Sequence, residues 1–206
     1  MRQLFTTVTA SLFIAGAAVA APTYMPTGAQ ANVALSTVTG GGWTQCYQAS
    51  MATTIGNAGE NVLNVCQGDL IMMAGRETRS QTLLSLAATT RADAIIDTGN
   101  INSAFHVSNG AKWWYSDFWS WGFASLADTV RNNECGSASL GLCLHTFDFT
   151  GGYSINTIVG LNGSTNYEKL FFVADANGNA VPEPGALALV SLALVGAAVA
   201  RRRKAG

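Results

Sequence analysis

The densest group of chemically capable side chains is the aromatic segment from Lys112 to Phe123. The flat apolar face of an aromatic ring can stack on a sugar ring, and Asn109 and Asp117 are near enough in sequence to bond its hydroxyl groups. If the segment is a strand, alternate residues share one face. The same rings also suit a hydrophobic core, where each one removes about 150–250 Å² from water. The residues assigned to a ligand platform, for polysaccharide or protein, are Trp113, Tyr115, Trp119, Trp121 and Phe123.

The two histidines, His106 and His145, are candidates for catalysis or metal binding by residue type alone. Asp148 follows His145 by three residues, which would place the two on opposite faces of a strand and disfavours a direct pair. The sequence contains neither G-x-S-x-G nor H-E-x-x-H, the motifs of common hydrolases. We therefore expect no catalytic residue, no cofactor and no metal site. A secreted hydrolase built on either histidine is the alternative.

The first 20 residues have the pattern of a secretory signal peptide. Arg2 gives a basic start, Leu12 to Ala20 is apolar, and Ala18-Val19-Ala20 is a small-residue cleavage signature. A retained anchor is the alternative, but the apolar segment is short. We expect a signal helix that the secretion machinery uses and that is removed before Ala21.

The last 26 residues combine a short polar motif, an apolar run and a basic end. Gly185 to Ala200 carries no charged side chain, and a helix of this length covers about 24 Å, somewhat less than the roughly 30 Å of bilayer hydrocarbon. In lipid such a run must be helical, since its backbone groups find no other partners. A buried core helix is the alternative. The basic stop, which predicts a cytoplasmic tail and a body outside, consists of Arg201, Arg202, Arg203 and Lys204.

Pro182, Glu183 and Pro184, with the apolar run and the arginine cluster, resemble the PEP-CTERM sorting domain of Gram-negative bacteria. The resemblance implies an exosortase substrate from an envelope-secreting bacterium, often one that produces extracellular polysaccharide. It also implies recognition through these three residues, a transient stay in the inner membrane and processing close to them. The resemblance covers about 26 of 206 residues and implies nothing about the activity of the central region.

All four cysteines lie in the exported body, where disulfides can form. Four cysteines allow three pairings. We predict Cys46 with Cys66 and Cys135 with Cys143, because each pair is close in the chain and separated by segments containing Gly or Asn. Each bond should contribute about 2–3 kcal/mol by restricting the unfolded chain. A zinc site is the alternative, but the spacing of a typical zinc motif is missing.

The sequence predicts four segments: a signal peptide at 1–20, a β-rich extracytoplasmic domain at 21–174, a linker at 175–180 and the sorting signal at 181–206. Five of the 11 Lys and Arg but only one of the 12 Asp and Glu lie in the terminal segments, so the body carries about five net negative charges. An acidic body has no basic stripe to neutralise phosphates, which argues against nucleic acid as a partner.

Alternating residues and frequent turn pairs predict an all-β fold, an antiparallel β-sandwich or barrel-like domain with two disulfides. Ala31 to Thr39 is one strand candidate, and Asn109-Gly110 is one of the turn signals. Asn61 to Gln67 favours a helical turn, and Thr82 to Ile96 fits a helix as well as a strand. The further strand candidates are residues 69–77, 82–96, 111–116, 144–150, 155–161 and 167–173.

These patterns together predict a noncatalytic protein of the cell surface or extracellular matrix. It is expected first as a membrane-anchored precursor with a periplasmic or extracellular body, and then at the surface or secreted. The alternative to this role, besides the hydrolase, is a secreted carbohydrate-binding module that recognises extracellular polysaccharide.

Overall fold

The computed structural model describes residues 21–130, 135 and 138–176, which belong to the unit formed by residues 20–177. The predicted signal helix, the apolar run of the tail and the sorting motif lie outside the described residues. Within the described ranges, no helix has the length and apolar character needed to cross a membrane.

The described chain consists mainly of β-strands with short helices between them. In chain order the elements are β1 (Val33–Ala34), α1 (Leu35–Gly40), β2 (Thr44–Ser50), a 3-10 turn (Asn57–Gly59), α2 (Glu60–Leu63), β3 (Leu70–Glu77), β4 (Thr82–Leu83), β5 (Ser85–Thr90), α3 (Arg91–Ala94), β6 (His106–Ser108), β7 (Ala111–Tyr115), β8 (Ser120–Ser125), β9 (Gly141–His145), β10 (Gly152–Ile155), a second 3-10 turn (Leu161–Gly163) and β11 (Tyr167–Ala174).

Two antiparallel sheets form most of the secondary structure, which confirms the prediction of a fold built from antiparallel β-strands. One has the order β2-β11-β3-β5, and the other is a meander with the order β10-β9-β8-β7-β6. Strand β11 is paired along both edges, and its residues alternate between the two faces of its sheet. A separate two-residue ladder joins β1 to β4.

The inner faces of both sheets contribute to one hydrophobic core. Trp121 of one sheet lies 5.1 Å from Phe171 of the other, measured between ring centroids. The outer face of the four-stranded sheet is covered by a second cluster that includes Val38 of α1 and Trp43. A third, smaller cluster lies around Trp114 and Cys143 on the five-stranded sheet. Both faces of the four-stranded sheet are therefore buried, which explains why β3 and β5 are apolar on both sides.

Both predicted disulfides are confirmed. Cys46 of β2 is bonded to Cys66, which follows α2, and Cys135 is bonded to Cys143 of β9. The first bond fastens α2 to the edge of the four-stranded sheet. The second fastens residue 135 to the outer face of the five-stranded sheet.

Several predicted elements agree with the structure. The candidates at 69–77, 111–116 and 167–173 coincide with β3, β7 and β11, and the predicted helical turn overlaps α2. Asn109 and Gly110 form the turn between β6 and β7, and both have positive φ, as a two-residue hairpin requires.

Other predicted elements are wrong or incomplete. Most of Ala31 to Thr39 is helix α1 rather than strand, and its buried Val38 packs on the outer cluster. Thr82 to Ile96 divides into β4, β5 and α3, where the Thr90 side chain accepts from the Asp93 N–H and begins the helix.

The candidates at 144–150 and 155–161 are displaced towards the N-terminus, to β9 and β10. Each of these strands begins at a glycine that close packing requires. A Cβ on Gly141 would lie 2.5 Å from the Phe123 carbonyl oxygen, and one on Gly152 would lie 2.4 Å from Met51 Cε. The positive φ of Asn156 then ends β10.

Candidate functional site

The predicted platform for polysaccharide does not form as a surface. Strand β8 begins after Trp119, and its alternation directs Trp121 and Phe123 between the sheets. Strand β7 directs Trp113 and Tyr115 to the same inner face, so these four rings are buried. Of the five predicted residues, Trp119 alone keeps a partly exposed side chain.

A different set of aromatic side chains accompanies Trp119. Its ring meets that of Phe147 edge to face, with 5.6 Å between centroids, and Phe147 stacks on Phe149 at 4.9 Å. Phe149 is 77% exposed, the most exposed of the large apolar residues described. We call this set the aromatic surface, and it comprises Trp119, His145, Phe147, Phe149 and Tyr153.

Thr146 fixes the geometry of the aromatic surface from below. It is fully buried, its hydroxyl donates to the Ser116 carbonyl (2.6 Å), and the same oxygen accepts from the Trp119 N–H (2.7 Å). The Thr146 N–H donates to the Trp119 carbonyl (3.2 Å). Because Thr146 points inward, the alternate residues on either side of it, His145 and Phe147, meet ring to ring, with 6.0 Å between centroids.

The hairpin loop between β7 and β8 supplies the second side of the aromatic surface. Its ends are joined by the Ser116 N–H bond to the Ser120 carbonyl (2.9 Å), and Phe118 has a positive φ of 56°. Phe118 is 57% exposed. Asp117 accepts from the Tyr115 hydroxyl (2.6 Å), and burial together with this carboxylate raises the pKa of Tyr115 well above its ordinary value. The loop is thus held at both ends and at Asp117.

His145 is neutral in this setting. Its ring lies 5.7 Å from that of Tyr153, between centroids. Burial lowers the pKa of His145 below its ordinary 6.5, against a hydrogen bond to the Trp119 backbone that favours the protonated form. At neutral pH the aromatic surface therefore carries no charge of its own, while the nearby carboxylates of Asp117 and Asp148 are exposed.

The other histidine lies in a polar cluster between the edges of the two sheets. Ser108 donates to Asp93 Oδ2 (2.7 Å), and Thr89 and Ser108 share a 2.5 Å hydrogen bond. The Ser108 bond holds the pKa of Asp93 below its ordinary value. Both ring nitrogens of His106 are buried without a hydrogen-bond partner. Since Ser108 donates to Asp93 and not to His106, a Ser-His-Asp relay is not assembled here.

Lys169 is a buried titratable side chain that the sequence analysis missed. Its side chain is fully buried, and Nζ donates to the carbonyls of Ser50 (2.8 Å), Met51 (3.3 Å) and Thr53. Burial lowers its pKa from 10.5 to about 7. The strand alternation could have indicated this burial. Lys169 lies two residues before Phe171 in β11 and therefore shares its inner face.

Among residues 21–130, 135 and 138–176, no group of three or more His, Cys, Asp or Glu side chains is arranged to hold a metal ion.

Residues 180–204 match the family model described as the PEP-CTERM protein-sorting motif. The chain carries a PEP-CTERM motif. No curated protein and no solved structure matches the chain. The PEP-CTERM motif contains the predicted recognition residues Pro182, Glu183 and Pro184 and the predicted basic stop. It indicates an exported protein that an exosortase targets, and it is consistent with a membrane-anchored precursor.

Proposed function

We propose that this protein is a noncatalytic component of the cell surface or extracellular matrix, released from the inner membrane when an exosortase processes its C-terminal signal. The observation that carries the proposal is the PEP-CTERM motif at residues 180–204, which follows a β domain closed by two disulfides. Disulfides suit an oxidising compartment outside the cytoplasm. The partners are the secretion machinery and the exosortase, and the acidic body argues against nucleic acid.

The noncatalytic role is supported by what the polar side chains contact. Ser108 of β6 donates a hydrogen bond to Asp93 of α3, and His145 lies among aromatic rings. Neither arrangement leaves a base directed at a nucleophile. Within the part of the chain that the structure describes, the surroundings of the two histidines do not favour the hydrolase alternative.

The proposal is tested by replacing Pro182, Glu183 and Pro184 with alanine in the native host. We expect this variant to accumulate as a longer, membrane-bound form, while the wild-type body is found at the surface or in the medium without its tail. Glu77→Gln changes an exposed carboxylate in the body and is the matched control, expected to behave like wild type. Normal shortening and delivery of the triple variant would contradict the proposal.

Carbohydrate binding is the second candidate function. Four of the five residues of its predicted platform are buried, but the aromatic surface is an independent observation in its favour, since it presents the exposed ring of Phe149 beside the partly exposed rings of Phe147 and Trp119.

A further inference from the structure

We propose that the aromatic surface binds a neutral polysaccharide, with sugar rings lying against Trp119, Phe147 and Phe149. The inference rests on the proposed function, because it requires a body that is delivered outside the membrane. It places binding on the segment after β9 and not on the buried rings of β7 and β8.

The first argument is the exposure and continuity of the rings. Trp119, Phe147 and Phe149 follow one another with 5.6 and 4.9 Å between centroids, and Phe149 is 77% exposed. Trp119 and Phe147 are partly exposed, and with Phe149 they form an apolar patch of rings in contact, the kind of patch that marks an interaction site. A sugar ring, apolar on its faces and polar at its edge, has the shape and chemistry to cover such rings.

The second argument is the charge around the rings. Residues 116–120 and 145–153 contain two aspartates, Asp117 and Asp148, and no Lys or Arg. Both carboxylates are exposed and can accept hydrogen bonds from sugar hydroxyls. They would repel uronate, sulfate or phosphate groups, and His145 adds no positive charge at neutral pH. The chemistry therefore selects an uncharged polymer.

The third argument is that the surface is already ordered. Thr146 holds both backbone groups of Trp119, and Asp117 is held by Tyr115. Binding to a fixed surface loses less conformational entropy than binding to a mobile one. This offsets the modest area that three rings provide.

The fourth argument is position. The Gly152 N–H donates to the Met51 carbonyl (2.7 Å), and the Met51 N–H donates to Tyr167 (2.8 Å), so the segment after Phe149 packs at the Tyr167 end of β11. The chain leaves β11 at Ala174, about 23 Å further along the strand. A connection that begins after Ala174 therefore starts well away from the aromatic surface.

The test uses the protein purified from its native host after export. Isothermal calorimetry with three neutral polymers, hydroxyethylcellulose, a mannan and a galactan, is compared with alginate, a polyuronate. We expect at least one neutral polymer to bind, with an affinity unchanged in 0.5 M salt, and alginate not to bind. Phe149→Ala and Trp119→Ala should each weaken binding about tenfold or more. Phe105→Ala, which removes a partly exposed ring beside β6 at the opposite edge of the sheet, is the matched control and should bind like wild type.

Three results would overturn the inference. The first is that none of the neutral polymers produces a heat of binding. The second is that alginate binds more tightly than the neutral polymers and that salt weakens its binding. The third is that neither Phe149→Ala nor Trp119→Ala lowers the affinity. Phe149 is so exposed that its loss should leave folding intact, which near-ultraviolet circular dichroism checks. Analytical ultracentrifugation of wild type and Phe149→Ala adds a further refuting result. A dimeric wild type and a monomeric variant would show that a second copy of the chain covers the aromatic surface. If the protein is exported and shortened but binds no polymer, this inference fails and the proposed function stands. If it stays uncut inside the cell, the proposed function fails whatever it binds.

Discussion

Lys169 should make the stability of the domain depend on pH in an unusual direction. Its side chain is fully buried and its Nζ faces three backbone carbonyls, with no carboxylate among its hydrogen-bond partners. Burial lowers its pKa from 10.5 to about 7. Between these values the unfolded chain binds a proton that the folded chain does not hold. Stability therefore increases as the pH rises through this window and is lowest below pH 7.

The size of the effect follows from the shift. Each pKa unit corresponds to about 1.4 kcal/mol, so the full window is worth about 5 kcal/mol. Within the experimentally convenient range of about pH 7.5–9.5, the free energy of unfolding should rise by about 1.4 kcal/mol per pH unit through this group alone. Replacing Lys169 with methionine removes the titrating group, and that rise should disappear.

Urea unfolding followed by tryptophan fluorescence measures both proteins in the same buffers. Lys112→Met serves as the matched control for the change in net charge, because Lys112 also donates to a backbone carbonyl, that of Asp128. The wild-type free energy minus that of Lys169→Met should increase with pH. If this difference is constant from pH 7.5 to 9.5, the three carbonyls hold Lys169 protonated in the folded state and the reasoning is wrong.

Three further changes test the packing that positions the aromatic surface and the sheets. Thr146→Val leaves the Ser116 carbonyl and the Trp119 N–H without this partner and should lower the free energy of unfolding by about 2 kcal/mol, with altered near-ultraviolet circular dichroism; unchanged values would mean that the loop holds itself. Replacing Cys46 and Cys66 together by alanine should cost about 3 kcal/mol in urea unfolding, and a smaller loss would show that α2 is held by packing alone. Glu168→Gln removes the carboxylate that pairs with the buried guanidinium of Arg76 (2.8 Å) and should cost about 3–5 kcal/mol, a loss that a freely hydrated pair would not show.

The strands that the sequence predicts well are those with local signals. β11 contains a continuous apolar run from Leu170 to Ala174, and Asn109-Gly110 marks a turn that needs positive φ at both residues. The disulfides also follow from nearness in the chain, since the separations are 20 and 8 residues. In each case the information lies within a few residues of the element.

The elements that the sequence misplaces depend on contacts distant in the chain. Gly141 and Gly152 lie outside the predicted strands at 144–150 and 155–161, but each is required in a strand because another part of the chain occupies the space of a Cβ. Leu35 to Thr39 reads as strand, but Val38 is buried as part of a helix on the outer face of a sheet built from later residues.

The aromatic surface could not be located from sequence for the same reason. Trp119 meets Phe147 only because Ser120 pairs with His145 in the register of β8 and β9. The aromatic content of Lys112 to Phe123 suggested a ligand platform, yet most of the rings in this segment lie in the core. The alternation of His145, Phe147 and Phe149 was visible in the sequence, but its meaning required the inward hydrogen bonds of Thr146.

Intact mass spectrometry of the protein recovered from its native host, without reduction, tests the central claim most directly. The account predicts a species that begins at Ala21, ends near Pro182 to Pro184 and is four hydrogens lighter than its reduced form, as two disulfides require. A full chain of 206 residues with four free thiols would contradict it.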